Sequence, residues 1–229
     1  PENIVDEKMT EKVEKVESVQ PVELPSDDFV PEKTTEVEEA KYTIETPLVK
    51  AVFTNKGGDI VSYRLKNYNE VSGESGVEMI KNLTPTNRAF SLSINKVIAP
   101  SFDGIFEVKQ RNTKNGVSIA FICNVKNAKS ESTLGDFRIV KEYEFLNNDY
   151  MFSLTITLET LQSSEKQNIE NVFYTLRTPA QIGPDWVQGD RYEYRKFSSF
   201  SNGSMKNVKI KEGEQKTQNE VAQWVSVYG

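Results

Sequence analysis

Phe137-Arg138-Ile139-Val140-Lys141-Glu142-Tyr143-Glu144-Phe145-Leu146, the polar Asn147-Asn148-Asp149, and then Tyr150-Met151-Phe152-Ser153-Leu154-Thr155-Ile156-Thr157-Leu158 decide the fold class. In the first run Phe137, Ile139, Tyr143 and Phe145 fall on one face, and in the second Phe152, Leu154, Ile156 and Leu158 do the same. Glu142, Glu144, Ser153, Thr155 and Thr157 face the other way. Side chains alternate across a strand, so a period of two marks a half-buried strand, and two such runs joined by a polar turn make an antiparallel hairpin.

The same reading extends outward. Leu48-Val49-Lys50-Ala51-Val52-Phe53-Thr54 passes through Asn55-Lys56-Gly57-Gly58 into Ile60-Val61-Ser62-Tyr63-Arg64-Leu65, a second hairpin whose paired glycines allow positive φ in the turn. Further strands are expected at Val77–Lys81, Ala89–Ile94, Ile105–Gln110, Gly116–Val125, Asn171–Thr178, Tyr192–Phe200 and Met205–Ile210. About eleven short strands with almost no strand-helix-strand signal favour an antiparallel two-sheet sandwich. At the end of the chain, Val221, Trp224, Val225 and Tyr228 stand at spacings of three, four and seven, which favours a short amphipathic C-terminal helix over a last strand.

Residues 1 to 41 carry thirteen acidic side chains against five lysines, a net charge of -8, whereas the whole chain is at -6. The acidity therefore belongs to the N-terminal stretch, and the rest is close to neutral. With Pro21, Pro25 and Pro31 and one aromatic, Phe29, before Tyr42, that stretch has too little apolar surface to offset the entropy of ordering. Residues 1–42 are expected to be an acidic flexible tether, and 43–229 the folded domain.

Apolar residues make up 37% of the 229, mean hydropathy is -0.55, and the longest apolar runs are far shorter than a membrane span. The chain opens Pro1-Glu2-Asn3 with neither an initiator Met nor a basic-then-apolar leader, so it reads as a segment excised from a longer protein. Cys123 is the one cysteine and shares the more apolar face of its strand with Val117, Ile119, Phe121 and Val125, the setting of a buried, inert thiol.

Histidine is absent, which removes Ser-His-Asp and Cys-His catalysis and His-ligated zinc. No metal or cofactor is expected. Asp185 and Asp190 flank Trp186, but in Gly183-Pro184-Asp185-Trp186-Val187-Gln188-Gly189-Asp190 they read as loop residues and not as a glycosidase pair. Arg191-Tyr192-Glu193-Tyr194-Arg195-Lys196-Phe197 interleaves basic and aromatic residues, yet an isoelectric point near 5.0 argues against nucleic acid. Trp186, Tyr192 and Tyr194 are instead candidate aromatics for a cleft that holds a peptide or glycan.

Three stretches carry a family resemblance. Val49 to Tyr68 has a hydrophobic-Thr-Asn-Lys-Gly-Gly turn followed by Ser62-Tyr63-Arg64-Leu65-Lys66-Asn67-Tyr68; Tyr143 to Leu154 and Ala222-Gln223-Trp224-Val225-Ser226-Val227-Tyr228 follow in order. Together they resemble the large extracytoplasmic domain of YidC-type membrane protein insertases; about Val71 to Asn115 has no counterpart in that resemblance.

The resemblance implies an antiparallel β-supersandwich similar to galactose-mutarotase-like folds, on the periplasmic side of the inner membrane and tethered by segments outside this chain. It implies a non-enzymatic accessory role. The expected partners are Sec translocon components (SecD, SecF and SecYEG) and nascent membrane proteins. Val221, Trp224, Val225 and Tyr228 would couple the domain to the membrane helices that perform insertion. A carbohydrate-active enzyme, suggested by fold analogy, is opposed by the missing histidines.

Overall fold

The computed structural model describes residues 29–31, 37–70, 72–85, 88–94, 101–127, 136–161, 174–178, 181–183, 196–209 and 216–228. Among them all regular structure is β, in sixteen strands and antiparallel throughout. Two sheets form the body. One has four strands in sequence order: β2 (Lys41–Glu45), β3 (Val49–Thr54), β4 (Asp59–Asn69) and β5 (Ser75–Glu78). The other contains β9 (Gly116–Asn127), β10 (Phe137–Leu146) and β11 (Phe152–Thr160) in that order, with β1 (Phe29–Pro31) and β8 (Glu107–Thr113) both pairing along the free side of β9.

Both expected hairpins form. Phe137 lies opposite Thr160 and Phe145 opposite Phe152 without a break, and Val49 to Val52 run opposite Leu65 to Ser62. After Val52 the register shifts, so that Phe53 faces Ile60, a bulge that tightens the twist just before the glycine turn. The sheets stack through aromatic side chains. Phe53 of β3 lies 5.4 Å from Phe121 of β9 and 4.9 Å from Tyr143 of β10, and Phe152 sits 5.5 Å from both Tyr63 and Phe145. Each such pair adds roughly 0.5–1.5 kcal/mol beyond the area it buries. Cys123 lies buried in this core beside Ile139.

Around the body are smaller pairings: β6 (Ile80–Lys81) with β13 (Gln181–Ile182), β7 (Ser91–Ile94) with β12 (Tyr174–Arg177), and a three-stranded sheet in which β14 (Lys196–Ser201) runs between β15 (Ser204–Val208) and β16 (Trp224–Tyr228). The expected strands at 89–94 and 105–110 are shorter at their starts, where Ala89 and Ile105 make isolated bridges to Ile60 and Lys56. Residues 171–173, 192–195 and 210 of other expected strands lie outside the described residues.

The expectation of a C-terminal helix is corrected. Trp224–Tyr228 is a strand, β16, paired with β14 from Phe200↔Trp224 to Lys196↔Tyr228. The three-four-seven spacing fits a helix, but Trp, Val and Tyr favour a pleated surface, and β14 offers an edge. Tertiary pairing wins over the local pattern.

Candidate functional site

The centre of the sandwich is charged. Lys141 follows Phe137 and Ile139 on the inward face of β10, and both its side chain and that of Asp59 are 0% exposed. The Lys141 ammonium donates to Asp59 Oδ1 at 2.7 Å and to the carbonyls of Gly57 and Phe90 at 2.9 Å each, which uses all three of its N–H groups. Asp59 Oδ2 accepts from Arg88 Nε at 2.8 Å. Arg88 continues outward through Nη2 to Asp103 Oδ1 at 2.5 Å, and through Nη1 to the Pro85 carbonyl. Lys56 Nζ lies 3.8 Å from Asp103 Oδ2. Charges thus alternate along Lys141, Asp59, Arg88, Asp103 and Lys56, from the core to the surface.

The glycine turn is where this chain of charges meets the opposite sheet. Gly57 and Gly58 have φ of 76° and 63°, the left-handed region that favours glycine. Their successive carbonyls both point at β10: Gly57 O accepts from Lys141, and Gly58 O accepts from the Tyr143 hydroxyl at 2.9 Å. Asn55, fully buried, accepts from Ala40 N at 2.7 Å and donates to Glu38 O at 2.8 Å, holding the approach to β2. The motif Asn55-Lys56-Gly57-Gly58-Asp59 therefore fastens three separate parts of the domain.

Phe90 takes part through its backbone. It has φ of 61°, an unfavourable left-handed conformation for a side chain of that size, costing about 1–2 kcal/mol. Its amide donates to Arg177 O at 2.7 Å and its ring meets Phe152 edge-on at 5.2 Å, so the surroundings hold the residue while its carbonyl faces Lys141.

Burial and charge act against each other here. Burial pushes the Lys141 pKa below the usual lysine range; Asp59 opposes that shift and the Arg88 charge adds to it. At Arg88 burial also pulls downward, but Asp103 and Asp59 outweigh it and the net shift is upward. Burial, then the Asp59 charge, raises Tyr143 well above the ordinary phenol value. Tyr63 is pushed up to about 12 by burial and then by Asp149, and its hydroxyl donates to Tyr150 O at 2.5 Å.

A phenol whose folded pKa is raised stabilises the fold fully below its unfolded value near 10, and that contribution is lost as pH climbs through the folded value. Alkaline unfolding is therefore expected between about pH 10 and 12. In an absorbance titration, Tyr63 and Tyr143 should ionise only as far-UV dichroism collapses, and Tyr143→Phe should remove one delayed ionisation. If all phenols titrated while the dichroism held, these assignments would be wrong.

The C-terminal residues singled out from sequence lie elsewhere. Val221 and Val225 are 89% and 74% exposed. Trp224 stacks on Phe200 across β14 and β16, with rings 5.5 Å apart and 6° from parallel. Neighbouring residues of a strand point to opposite faces, so Trp224 and Val225 do not share one surface, and Tyr228 is placed by its pairing with Lys196. Trp186, Tyr192 and Tyr194, with Asp185 and Asp190, lie outside the described residues.

Sequence reasoning missed Lys141, Asp59, Arg88 and Asp103. One signal was present: the apolar alternation Phe137, Ile139, Tyr143, Phe145 skips one inward position, and Lys141 occupies it.

A family model, the YidC periplasmic domain, matches residues 41–228, a region that contains the glycine turn and the strands joined through it. The chain belongs to that family. It is 40% identical over 194 residues to the membrane protein insertase YidC of Treponema denticola, covering 83% of this chain and 33% of the relative. The insertase YidC of Treponema pallidum is 33% identical over 247 residues, covering 93% and 40%, and that of Citrifermentans bemidjiense 28% identical over 174 residues, covering 73% and 30%. The chain thus spans about a third of the length of the curated relatives it matches. No solved structure matches it. Among the described residues no helix is long and apolar enough to cross a membrane. In this YidC periplasmic domain the glycine turn is one of the points at which the two sheets are tied.

Proposed function

We propose that this domain is a non-enzymatic platform on the periplasmic side of the inner membrane, within an insertase whose other segments carry out insertion. The observation that supports a structural role is the closed accounting of the buried charges. All three N–H groups of Lys141 and both oxygens of Asp59 are committed to protein partners, so the strongest chemistry in the core holds sheets together. On this reading the partners are SecD, SecF, SecYEG and nascent membrane proteins. The acidic stretch of residues 1–42 acts as the spacer, and it enters the body where Phe29–Pro31 pairs with β9 and Lys41–Tyr42 begins β2. On this reading Val221, Trp224, Val225 and Tyr228 couple the domain to the membrane-embedded part by their position at the end of the matched region and not as one apolar face, since Trp224 and Val225 lie on opposite sides of β16.

Deletion of residues 43–228 from the whole insertase, followed by site-specific crosslinking to SecD and SecF and by insertion of a test membrane protein into vesicles, tests this. Crosslinking should fall sharply, and Trp224→Ala combined with Val225→Ala should reproduce part of the loss. Undiminished crosslinking after the deletion would refute the platform. A sugar-anomerisation activity abolished by a single carboxylate substitution would refute the non-enzymatic assignment.

A further inference from the structure

The two borders of the β9–β10–β11 sheet differ in kind. Along the free side of β9, β8 presents Glu107, Lys109 and Arg111, and β1 ends in Pro31; charges and proline are the usual devices that keep a strand edge from pairing with another chain. On the opposite border β11 reads Phe152-Ser153-Leu154-Thr155-Ile156-Thr157-Leu158-Glu159-Thr160, nine residues with one charge, no proline and no bulge. Among the described residues no strand pairs with its outer side.

The ladder says which groups that side presents. Leu161 N donates to Asp136 O, directly beyond the last strand pair. Antiparallel pairs alternate between hydrogen-bonded and non-hydrogen-bonded, so the N–H and C=O of Phe152, Leu154, Ile156, Leu158 and Thr160 point away from β10. The same residues turn their side chains toward the core, and they are half-buried where their partners Phe137, Ile139, Lys141, Tyr143 and Phe145 are fully buried. The apolar row is thus left partly uncovered on the side where the backbone is unpaired.

We propose that the outer edge of β11 is a strand-addition site for an extended segment of an unfolded client polypeptide. Only an extended backbone meets a row of alternating donors and acceptors at this spacing, which identifies the ligand as polypeptide. Residues opposite Leu154, Ile156 and Leu158 would lie on the core side and must be apolar. Those beside Ser153, Thr155 and Thr157 would lie on the solvent side and can be polar. The recognised segment is therefore one with apolar residues at alternate positions. That its source is a client protein rests on the platform reading above; the edge itself rests on the ladder.

The test uses the 229-residue chain and a nine-residue peptide alternating isoleucine and threonine, with terminal lysines for solubility. Binding should slow amide exchange at Leu154, Ile156 and Leu158. With the peptide antiparallel to β11, like the strands of the sheet, its isoleucine N–H groups face that strand, so N-methylation of the isoleucines should weaken binding by at least about tenfold, while N-methylation of its threonines should not. Ile156→Pro, which removes an outward N–H and leaves the β10 ladder intact, and Thr157→Lys should each weaken binding comparably. The proposal is overturned if both methylated peptides bind alike, if those amides are already protected without peptide, or if they become protected with chain concentration through self-association. Loss of peptide binding with Sec crosslinking intact would sink the edge and spare the platform; the reverse pattern would sink the platform and spare the edge.

Discussion

Asp59→Ala is expected to cost the domain about 3–5 kcal/mol, because it leaves Lys141 and Arg88 buried without the carboxylate they share. A domain of this size has only about 5–15 kcal/mol in total, so the variant should be partly unfolded or nearly so at ambient temperature. Urea unfolding followed by far-UV dichroism measures the loss. Asp103→Ala is the control from the other end of the same chain of charges: the Asp103 side chain is 44% exposed, water can replace it, and its removal should cost under about 1 kcal/mol. Equal losses for the two would show that burial does not govern the network. Lys141→Met should fall between them, since Asp59 keeps Arg88, and the Asp59→Ala, Lys141→Met double variant should cost less than the sum of the singles.

The pH dependence of that deficit has a definite sign. A lysine whose folded pKa lies below its unfolded value of 10.5 binds fewer protons in the folded state, so stability rises with pH across the interval between the two. Asp59 is the group that raises the Lys141 pKa against burial, and without it the folded value drops further. The Asp59→Ala deficit should therefore shrink as pH is raised from neutrality toward 10, before the tyrosines begin to oppose it. A deficit that stayed constant over that range would mean Lys141 is not the charge left stranded.

The strands were legible because period-two alternation is a local signal: Phe137 to Leu158 and Leu48 to Leu65 carry it, and both hairpins form. Asn55-Lys56-Gly57-Gly58 was legible as a turn, but its second role was not. That role depends on which strand of the opposite sheet lies beneath the turn, a contact between residues more than eighty positions apart in the chain. Lys141 left a trace as a charged residue in an inward position, whereas Arg88 left none, since it sits in a short connection whose sequence resembles any loop. The last strand failed for a related reason. Val221, Trp224, Val225 and Tyr228 fit a helical face equally well, and the choice was made by the edge of β14, distant in sequence and invisible in a window of a dozen residues.

Gly58→Ala is expected to be nearly as damaging as loss of Asp59, and for two separable reasons. At φ of 63° an alanine pays about 1–2 kcal/mol in backbone conformation alone. Its Cβ would also stand 2.7 Å from Cβ and 2.9 Å from Cγ of Phe121, and Phe121 is itself held by Phe53 and Tyr143, so overpacking adds about 1–3 kcal/mol. Gly57→Ala meets a different obstacle, since its Cβ would lie 2.7 Å from Asp59 Oδ2, the atom that Arg88 Nε contacts. Gly73 separates the two causes: it has φ of 86° with nothing within 4 Å of an added Cβ, so Gly73→Ala carries the conformational cost only. Thermal melts of the three variants should place Gly73→Ala a few degrees below the parent chain and the other two far lower. Were all three alike, the paired glycines would be there for the turn alone; the expected split makes them the space into which the opposite sheet and its charges fit.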